Sequence, residues 1–279
     1  MNGPEKPSGA VTYVEAHRIS TGGEDRGRRK ERIGVALEAP LTIDVEGVGT
    51  YTVLGTPDDK RALALGFLFS EGLIDGLADV GVLRECGEDP DTVRVRLAGE
   101  PPREGERGRN LLIVSSCGAC GSEELRARLD ALPPIGDAFR IEGRKLRSVY
   151  DSLRKKQTLF DACGCTHAAG IFDAEANILS CAEDIGRHNA LDKAIGKCLL
   201  EGIPTAGRGA ALSGRVSLEM IAKCVRAGIE LITAVSAPTA LAIDVASRCN
   251  VTLCAFVRET RATVFTHPGR VVTEPPPGA

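Results

Sequence analysis

From residue 111 to residue 266 the chain repeats one alternation: a short apolar run, a turn signal, then a stretch with helical spacing. Strand-like pieces fall at 111–116, 168–173, 177–182, 208–213, 230–236, 251–257 and 262–266, and helix-like pieces at 122–131, 148–159, 187–200, 217–227 and 239–248. Runs this short bury their apolar residues only by pairing side by side, and the helices between them must cover the resulting faces. The pattern therefore predicts an α/β fold, a layered sheet with helices on its faces. Ligands of such sheets gather outside the carboxyl ends of the strands, and the motif-bearing turns of this chain fall there.

The preceding region reads differently. Val35-Ala36-Leu37-Glu38, Leu41-Thr42-Ile43-Asp44-Val45 and the alternating Val93, Val95 and Leu97 are strand-like. Thr56-Pro57-Asp58-Asp59 opens a helix that stops at Gly72. Residues 29–110 are thus expected to form a small N-terminal α+β domain, closed by a loop rich in Pro, Glu and Arg at 100–109. Residues 1–28, rich in Gly and Pro and ending near Arg26-Gly27-Arg28-Arg29-Lys30, are expected to be a disordered tail, and 273–279 a second tail. The α/β domain spans 111–272.

Composition removes several classes of function. A net charge of −3 and a pI near 5.9 offer no global attraction to nucleic acid or to a membrane surface. No apolar stretch reaches the roughly 18 residues needed to span a bilayer. Ten cysteines without an export signal suit the reducing cytoplasm, where thiols stay free for catalysis or metal. Cys198, Cys224 and Cys254 sit in apolar patterns and read as core residues.

The chemistry-bearing residues form a few clusters. In Ser115-Ser116-Cys117-Gly118-Ala119-Cys120-Gly121, two thiols follow an apolar run and precede a helix start. The positive end of a helix lowers a thiol pKa, so the pair reads as a nucleophile, a redox dithiol or a zinc-holding pair. Glu183-Asp184-Ile185-Gly186-Arg187-His188-Asn189-Ala190-Leu191-Asp192-Lys193 packs six ionisable groups across a strand-to-helix turn. There Arg187 and His188 could face an anion beside free N–H groups, with Asp192 four residues on to hold the imidazole. The same string would also serve as a capped, salt-bridged helix start. Ser213-Gly214-Arg215, with Ser217 as an N-cap, Ser236-Ala237-Pro238-Thr239 and Phe256-Val257-Arg258-Glu259-Thr260-Arg261 repeat the theme. Together Arg187, Arg215, Arg258 and Arg261 with these hydroxyls suit phosphates or a pyrophosphate. Finally, Cys163-Gly164-Cys165-Thr166-His167, read as a strand, would put Cys163, Cys165 and His167 on one face, where they could hold zinc with a thiol from Cys117 or Cys120.

These motifs resemble the FdhD family, the formate dehydrogenase accessory sulfurtransferases. The resemblance is carried by Cys117-Gly118-Ala119-Cys120-Gly121, His167-Ala168-Ala169, the 183–193 string, Ser213-Gly214-Arg215, Ser236-Ala237-Pro238-Thr239 and Phe256-Val257-Arg258, in the family's order from about residue 31 to 272. It implies a cytidine-deaminase-like α/β domain beside the smaller N-terminal one, in a homodimer. It also implies that sulfur is received from a cysteine desulfurase as a persulfide and passed to molybdenum carried by bis(molybdopterin guanine dinucleotide), for formate dehydrogenase. Cys117 matches the family's persulfide cysteine and Cys120 the second loop thiol. Phe256 to Arg261 match its cofactor-binding stretch, so binding of a GDP-like guanine nucleotide is expected, with Arg187, His188, Ser213, Arg215 and Ser236 completing the rim. Cys163 and Cys165 depart from the family's Thr-Gly-Gly-x-His, which leaves open an added metal, a disulfide partner or a persulfide relay.

Three other functions share parts of this pattern. A zinc nucleoside deaminase needs His-x-Glu or Cys-x-Glu before Pro-Cys-x-x-Cys, whereas His167 is followed by Ala168-Ala169 and the order here is reversed. A thiol-disulfide oxidoreductase would use Cys117 and Cys120 alone. A cofactor-binding chaperone would need the same pocket without transferring sulfur.

Overall fold

A computed structural model describes residues 9–21, 27–99 and 132–273. The described residues form fourteen strands and six α-helices in four sheets. Val11–Ile19 (β1) and Arg28–Ala36 (β2) make an antiparallel hairpin. Ala39–Val45 (β3), Gly49–Gly55 (β4), Val80–Glu85 (β5) and Thr92–Leu97 (β6) make a four-stranded sheet in the order β4-β3-β6-β5, with Lys60–Ser70 (α1) between β4 and β5. Ile141–Glu142 (β7) pairs in parallel with a final short strand, Val271–Val272.

The remaining elements build the larger sheet. They are Lys145–Arg154 (α2), Thr158–Cys163 (α3), His167–Phe172 (β8), Ile178–Asp184 (β9), Arg187–Glu201 (α4), Gly209–Leu212 (β10), Leu218–Arg226 (α5), Leu231–Ala234 (β11), Ala240–Arg248 (α6), Thr252–Ala255 (β12) and Thr263–Val264 (β13). Their sheet runs β13-β12-β11-β10-β8-β9. Only β10, β11 and β12 are mutually parallel, and β8, β9 and β13 run against their neighbours. Every residue of the three parallel strands is buried, as expected when both faces are covered.

Side chains that alternate along the strands split into two cores. Ala169, Ile171, Ala210, Leu212, Ile232 and Ala234 face one way, toward α4, α5 and α6. Ala168, Phe172, Ala211, Leu231 and Cys254 face the other, toward Leu146, Val149 and Leu153 of α2. The first core does not stop at the six-stranded sheet. It continues through Leu63, Leu65 and Leu68 of α1 to Leu41, Ile43, Val93 and Val95 of the smaller sheet. Helices α1 and α4 therefore lie packed together between the two sheets, and the regions read as separate from sequence share one apolar interior.

The structure corrects the sequence reading at three places among the described residues. Residues 11–19, expected in a disordered tail, form β1, because their β-branched and aromatic residues have a partner in β2. Ala10 and Val11 anchor that hairpin against Leu159 and Ala162, and Lys30 reaches Glu15 at 2.6 Å across the strands. The helix expected over 148–159 is two helices, broken at 155–157 where Lys156 and Gln157 make turn hydrogen bonds. The segment 163–167 is no strand until its last residue: Cys163 ends α3, and Gly164 at φ 70 turns the chain out of the helix. The piece expected at 111–116, the helix expected at 122–131, and Cys117 and Cys120 lie outside the described residues.

Candidate functional site

Strand register aligns the motifs along one edge of the six-stranded sheet. His167, which opens β8, is paired with Asp184, which ends β9. Ala169 of β8 pairs with Leu212 at the end of β10, and Leu212 pairs with Ala234 at the end of β11. Thr233 pairs in turn with Cys254, one residue before the end of β12. Hence Asp184 to His188, His167, Ser213 to Arg215, Ser236 and Phe256 to Arg261 follow one another along the carboxyl edge. Helices α4, α5 and α6 begin on the same edge, after Gly186, Ser217 and Thr239. The first-turn amides of α4 and α5, which no N-cap side chain satisfies, add positive potential to that of the arginines.

The loops between these strands and helices are tied together. Val216 N donates to Ala237 O at 3.1 Å and Thr239 N to Val216 O at 3.0 Å, so the turns after β10 and β11 run side by side. Phe256 N donates to Ser236 O at 3.4 Å, which joins the turn after β12. Phe256 adopts φ 54 and leaves 40% of its surface exposed. Val257 turns inward to the second core, so only its backbone is available to a ligand. Arg258 donates from Nη1 to Val235 O at 2.7 Å and Val257 O at 2.8 Å, and Arg258, Glu259, Thr260 and Arg261 are exposed.

Around His167 the groups converge more tightly. Its Nδ1 lies 3.3 Å from Ser213 Oγ, which also accepts from Ala168 N at 2.8 Å. Gly214 leaves the space beside it open, since a Cβ there would stand 3.3 Å from His167 Nδ1 and 3.5 Å from Arg187 Cβ. Arg187 Nε is buried and has no hydrogen-bond partner among the described residues. An unpaired guanidinium N–H is costly in such a place, and an anion would satisfy it.

Asp192 does not hold His188 as its spacing suggested. His188 Nε2 lies 2.9 Å from Glu219 Oε2 of α5, and the imidazole keeps that carboxyl below the usual carboxylate range. Asp192, one turn further along the same face of α4, has its own partner on α5: its oxygens accept from Lys223 Nζ at 2.9 and 2.7 Å, and from Ser70 Oγ at 2.7 Å. The two side chains do share a helix face, as i, i+4 spacing requires, but each pairs with a residue of α5 rather than with the other, and the buried ammonium of Lys223 takes the Asp192 carboxylate. Asp184 and Lys193, both fully buried, form a second ion pair at 2.8 Å. Thr56 donates from N to Asp184 Oδ2 at 3.0 Å, and Lys193 Nζ reaches Asp58 Oδ1 at 2.7 Å. Thr56, Asp58 and Glu219 are thus site-supporting residues that sequence reasoning missed. In the sequence the Thr56-Pro57-Asp58 turn signals only a helix start, and nothing local reveals a partner 128 residues away.

Burial, reinforced by the positive charges of Arg187, His188 and Arg215, holds the His167 pKa below 6.5. The folded site therefore keeps this imidazole neutral while the unfolded chain takes up a proton below about pH 6.5. The unfolded state then binds more protons, so this group removes stability as pH falls from about 6.5 toward its folded value. Replacing His167 with Asn should flatten the pH dependence of thermal stability over that window, read by calorimetry across a buffer series. An unchanged slope would rule out the assignment.

Cys163 and Cys165 do not share a strand face with His167, for the helix end and the turn at Gly164 intervene. Among the described residues no group of three or more His, Cys, Asp or Glu side chains is placed to hold a metal ion. Among the described residues no helix is long and apolar enough to cross a membrane.

Comparison with known proteins places this geometry in context. Residues 36–272 match the model of the FdhD/NarQ family. The chain is 43% identical over 239 residues to a sulfur carrier protein FdhD from Bordetella bronchiseptica, covering 85% of this chain and 87% of that one. It is 36% identical over 275 residues to a protein of the same name from Xanthomonas campestris, covering 96% and 94%. A third of that name, from Thermoplasma acidophilum, is 36% identical over 247 residues, covering 85% and 86%. In fold, the chain is similar to a crystal structure from Desulfotalea psychrophila assigned as a formate dehydrogenase accessory protein. The TM-score is 0.74 at 23% identity, covering 94% of this chain and all of that one.

Proposed function

Because the chain belongs to the FdhD/NarQ family, we propose that it is a sulfur carrier serving a formate dehydrogenase. On this reading a cysteine desulfurase presents a persulfide, and the Cys117 thiolate attacks its outer sulfur. A new S–S bond forms at Cys117, the desulfurase thiolate leaves, and no net oxidation occurs. Cys120 then attacks the inner sulfur, which closes a Cys117–Cys120 disulfide and expels the outer sulfur as hydrosulfide toward the molybdenum of bis(molybdopterin guanine dinucleotide). Two equivalents of a cellular thiol reopen the disulfide and leave joined as a disulfide of their own. The cofactor is the substrate of this transfer, and the chain's part is to hold it.

The single observation that carries the reading is the buried Arg187 Nε, unpartnered among the described residues, at a sheet edge lined by Arg215, Arg258 and three helix starts. A guanine dinucleotide is polyanionic, and guanidinium forks beside helix amides are the donor set that phosphoryl oxygens need. The neutral His167 and the hydroxyl of Ser213 suit uncharged pterin or ribose groups. The exposed ring of Phe256 offers an aromatic face to a base. The same reading takes the six-stranded sheet as the cytidine-deaminase-like unit and the working molecule as a cytoplasmic homodimer.

The test is mass spectrometry after incubation with a cysteine desulfurase and cysteine. Wild-type protein should gain one sulfur atom on Cys117, and Cys117→Ala should gain none there. A protein that binds a guanine nucleotide but never gains sulfur would replace this reading with that of a cofactor-binding chaperone.

A further inference from the structure

Outside the candidate site, the segment from the end of α3 to the start of β8 carries a feature that the sulfur-carrier reading leaves unused. Eight cysteines fall among the described residues, and Cys165 is the exposed one. Its thiol donates to Cys163 Sγ at 3.5 Å, while Cys163 Sγ donates to Leu159 O at 3.0 Å. Gly164 between them adopts φ 70, and a Cβ there would meet no atom within 4 Å. That left-handed turn brings two side chains that a strand would also place on one side into direct sulfur contact.

We propose that Cys163 and Cys165 form a second thiol–disulfide exchange site, whose substrates are low-molecular-weight disulfides. Cys165 is accessible and attacks first: its thiolate forms a mixed disulfide with one sulfur of the small molecule and expels the other half as a thiolate. Cys163 then attacks Cys165 Sγ, the Cys163–Cys165 bond forms, and the second small thiolate leaves. Two protein thiols lose two electrons and two protons, and one disulfide is reduced to two thiols. Closure needs the sulfurs to move only from 3.5 Å to about 2.05 Å, and it costs Cys163 its contact with Leu159 O. Half-burial raises the Cys163 pKa, which suits a thiol that acts second, once the mixed disulfide has formed beside it. The six other described cysteines lack such a neighbour, and burial raises the pKa of Cys181, Cys198, Cys224, Cys249 and Cys254.

This inference does not depend on the sulfur-carrier reading. The experiment incubates the full-length protein with stepped ratios of reduced and oxidised glutathione, quenches in acid, alkylates free thiols and digests with trypsin. The peptide Gln157–Arg187 holds Cys163, Cys165 and Cys181. It should pass reversibly from three alkylated thiols to one, with an internal disulfide. Cys163→Ser should stop at a glutathione adduct on Cys165, and Cys165→Ser should form neither species. The proposal is overturned if Cys165 stays reduced at every ratio. It is equally overturned if the wild type halts at the glutathione adduct, or if either thiol pairs instead with another cysteine of the chain.

Discussion

Lys193→Met is expected to lower the stability of the folded protein by about 3–5 kcal/mol, the cost of stranding a buried partner charge. The ammonium has no solvent contact, and it lies 2.8 Å from Asp184 Oδ2 and 2.7 Å from Asp58 Oδ1. Methionine keeps the length and apolar stem but removes the charge. Asp184 would retain donors from Thr56 N, Gly186 N and Asn189 Nδ2, yet no cation. Hydrogen bonds satisfy its lone pairs without offsetting the desolvation of the charge. Urea denaturation gives the measurement, and a loss below about 1 kcal/mol would show that the pair carries little. The double variant Asp184→Asn with Lys193→Met should lose less than Lys193→Met alone, because the fully buried carboxylate is then neutral and only Asp58, which keeps solvent contact, loses its cation. Loss of the pair would also reach the candidate site, since Asp184 pairs with His167 and precedes Arg187 by one short turn.

The division between what could and could not be read from the sequence follows the range of the forces involved. Strands at 209–212, 231–234 and 252–255 and helices at 187–201, 218–226 and 240–248 lie within a few residues of expectation, because apolar period and Gly or Pro punctuation are local signals. Ser217, read as an N-cap, does occupy that position in α5 but makes no side-chain cap hydrogen bond, its Oγ donating to Glu219 Oε2 at 3.4 Å, whereas Thr239 caps α6 by accepting from Ala242 N at 3.2 Å. Long-range contacts leave no such local mark. In the hairpin β1–β2, strands that gain stability from Ala10, Val11, Leu159 and Ala162 packing together were hidden by flanking Gly and Pro and by a basic run. At Asp192, a local rule gave the right helix and the wrong partner, because Lys223 and Ser70 come from distant parts of the chain. The candidate edge was legible for a simpler reason. A parallel βαβ arrangement delivers every strand-to-helix turn to the same side of the sheet, whatever the side chains there do.

Gly196→Ala sets two effects of opposite sign against each other. In a helix interior, replacing glycine by alanine gains about 1 kcal/mol of intrinsic propensity. At this crossing, however, a Cβ on Gly196 of α4 would fall inside contact range of Ala62 O and stand 3.0 Å from Gly66 N, both backbone atoms of α1. The reverse holds at Gly66, whose Cβ would collide with Asp192 O and stand 3.0 Å from Gly196 N. Backbone cannot rotate away as a side-chain tip can, so the helices must part along a seam where both sheets share one core. We expect steric cost to win, with a net loss of at least about 3 kcal/mol, the upper end for overpacked cores. For a chain of this size that corresponds to a melting point lower by about 6–12 °C. Gly76→Ala is the control, for its φ of 178 is ordinary extended backbone and nothing lies within 4 Å of a Cβ there; it should move the melting point little. A rise in melting point for Gly196→Ala would mean that the helices yield freely and that the close crossing is not what fixes α4. If the crossing does fix it, binding of a guanine nucleotide should weaken in the same variant below its melting point. Parting α1 from α4 displaces the helix start that carries Arg187 and His188.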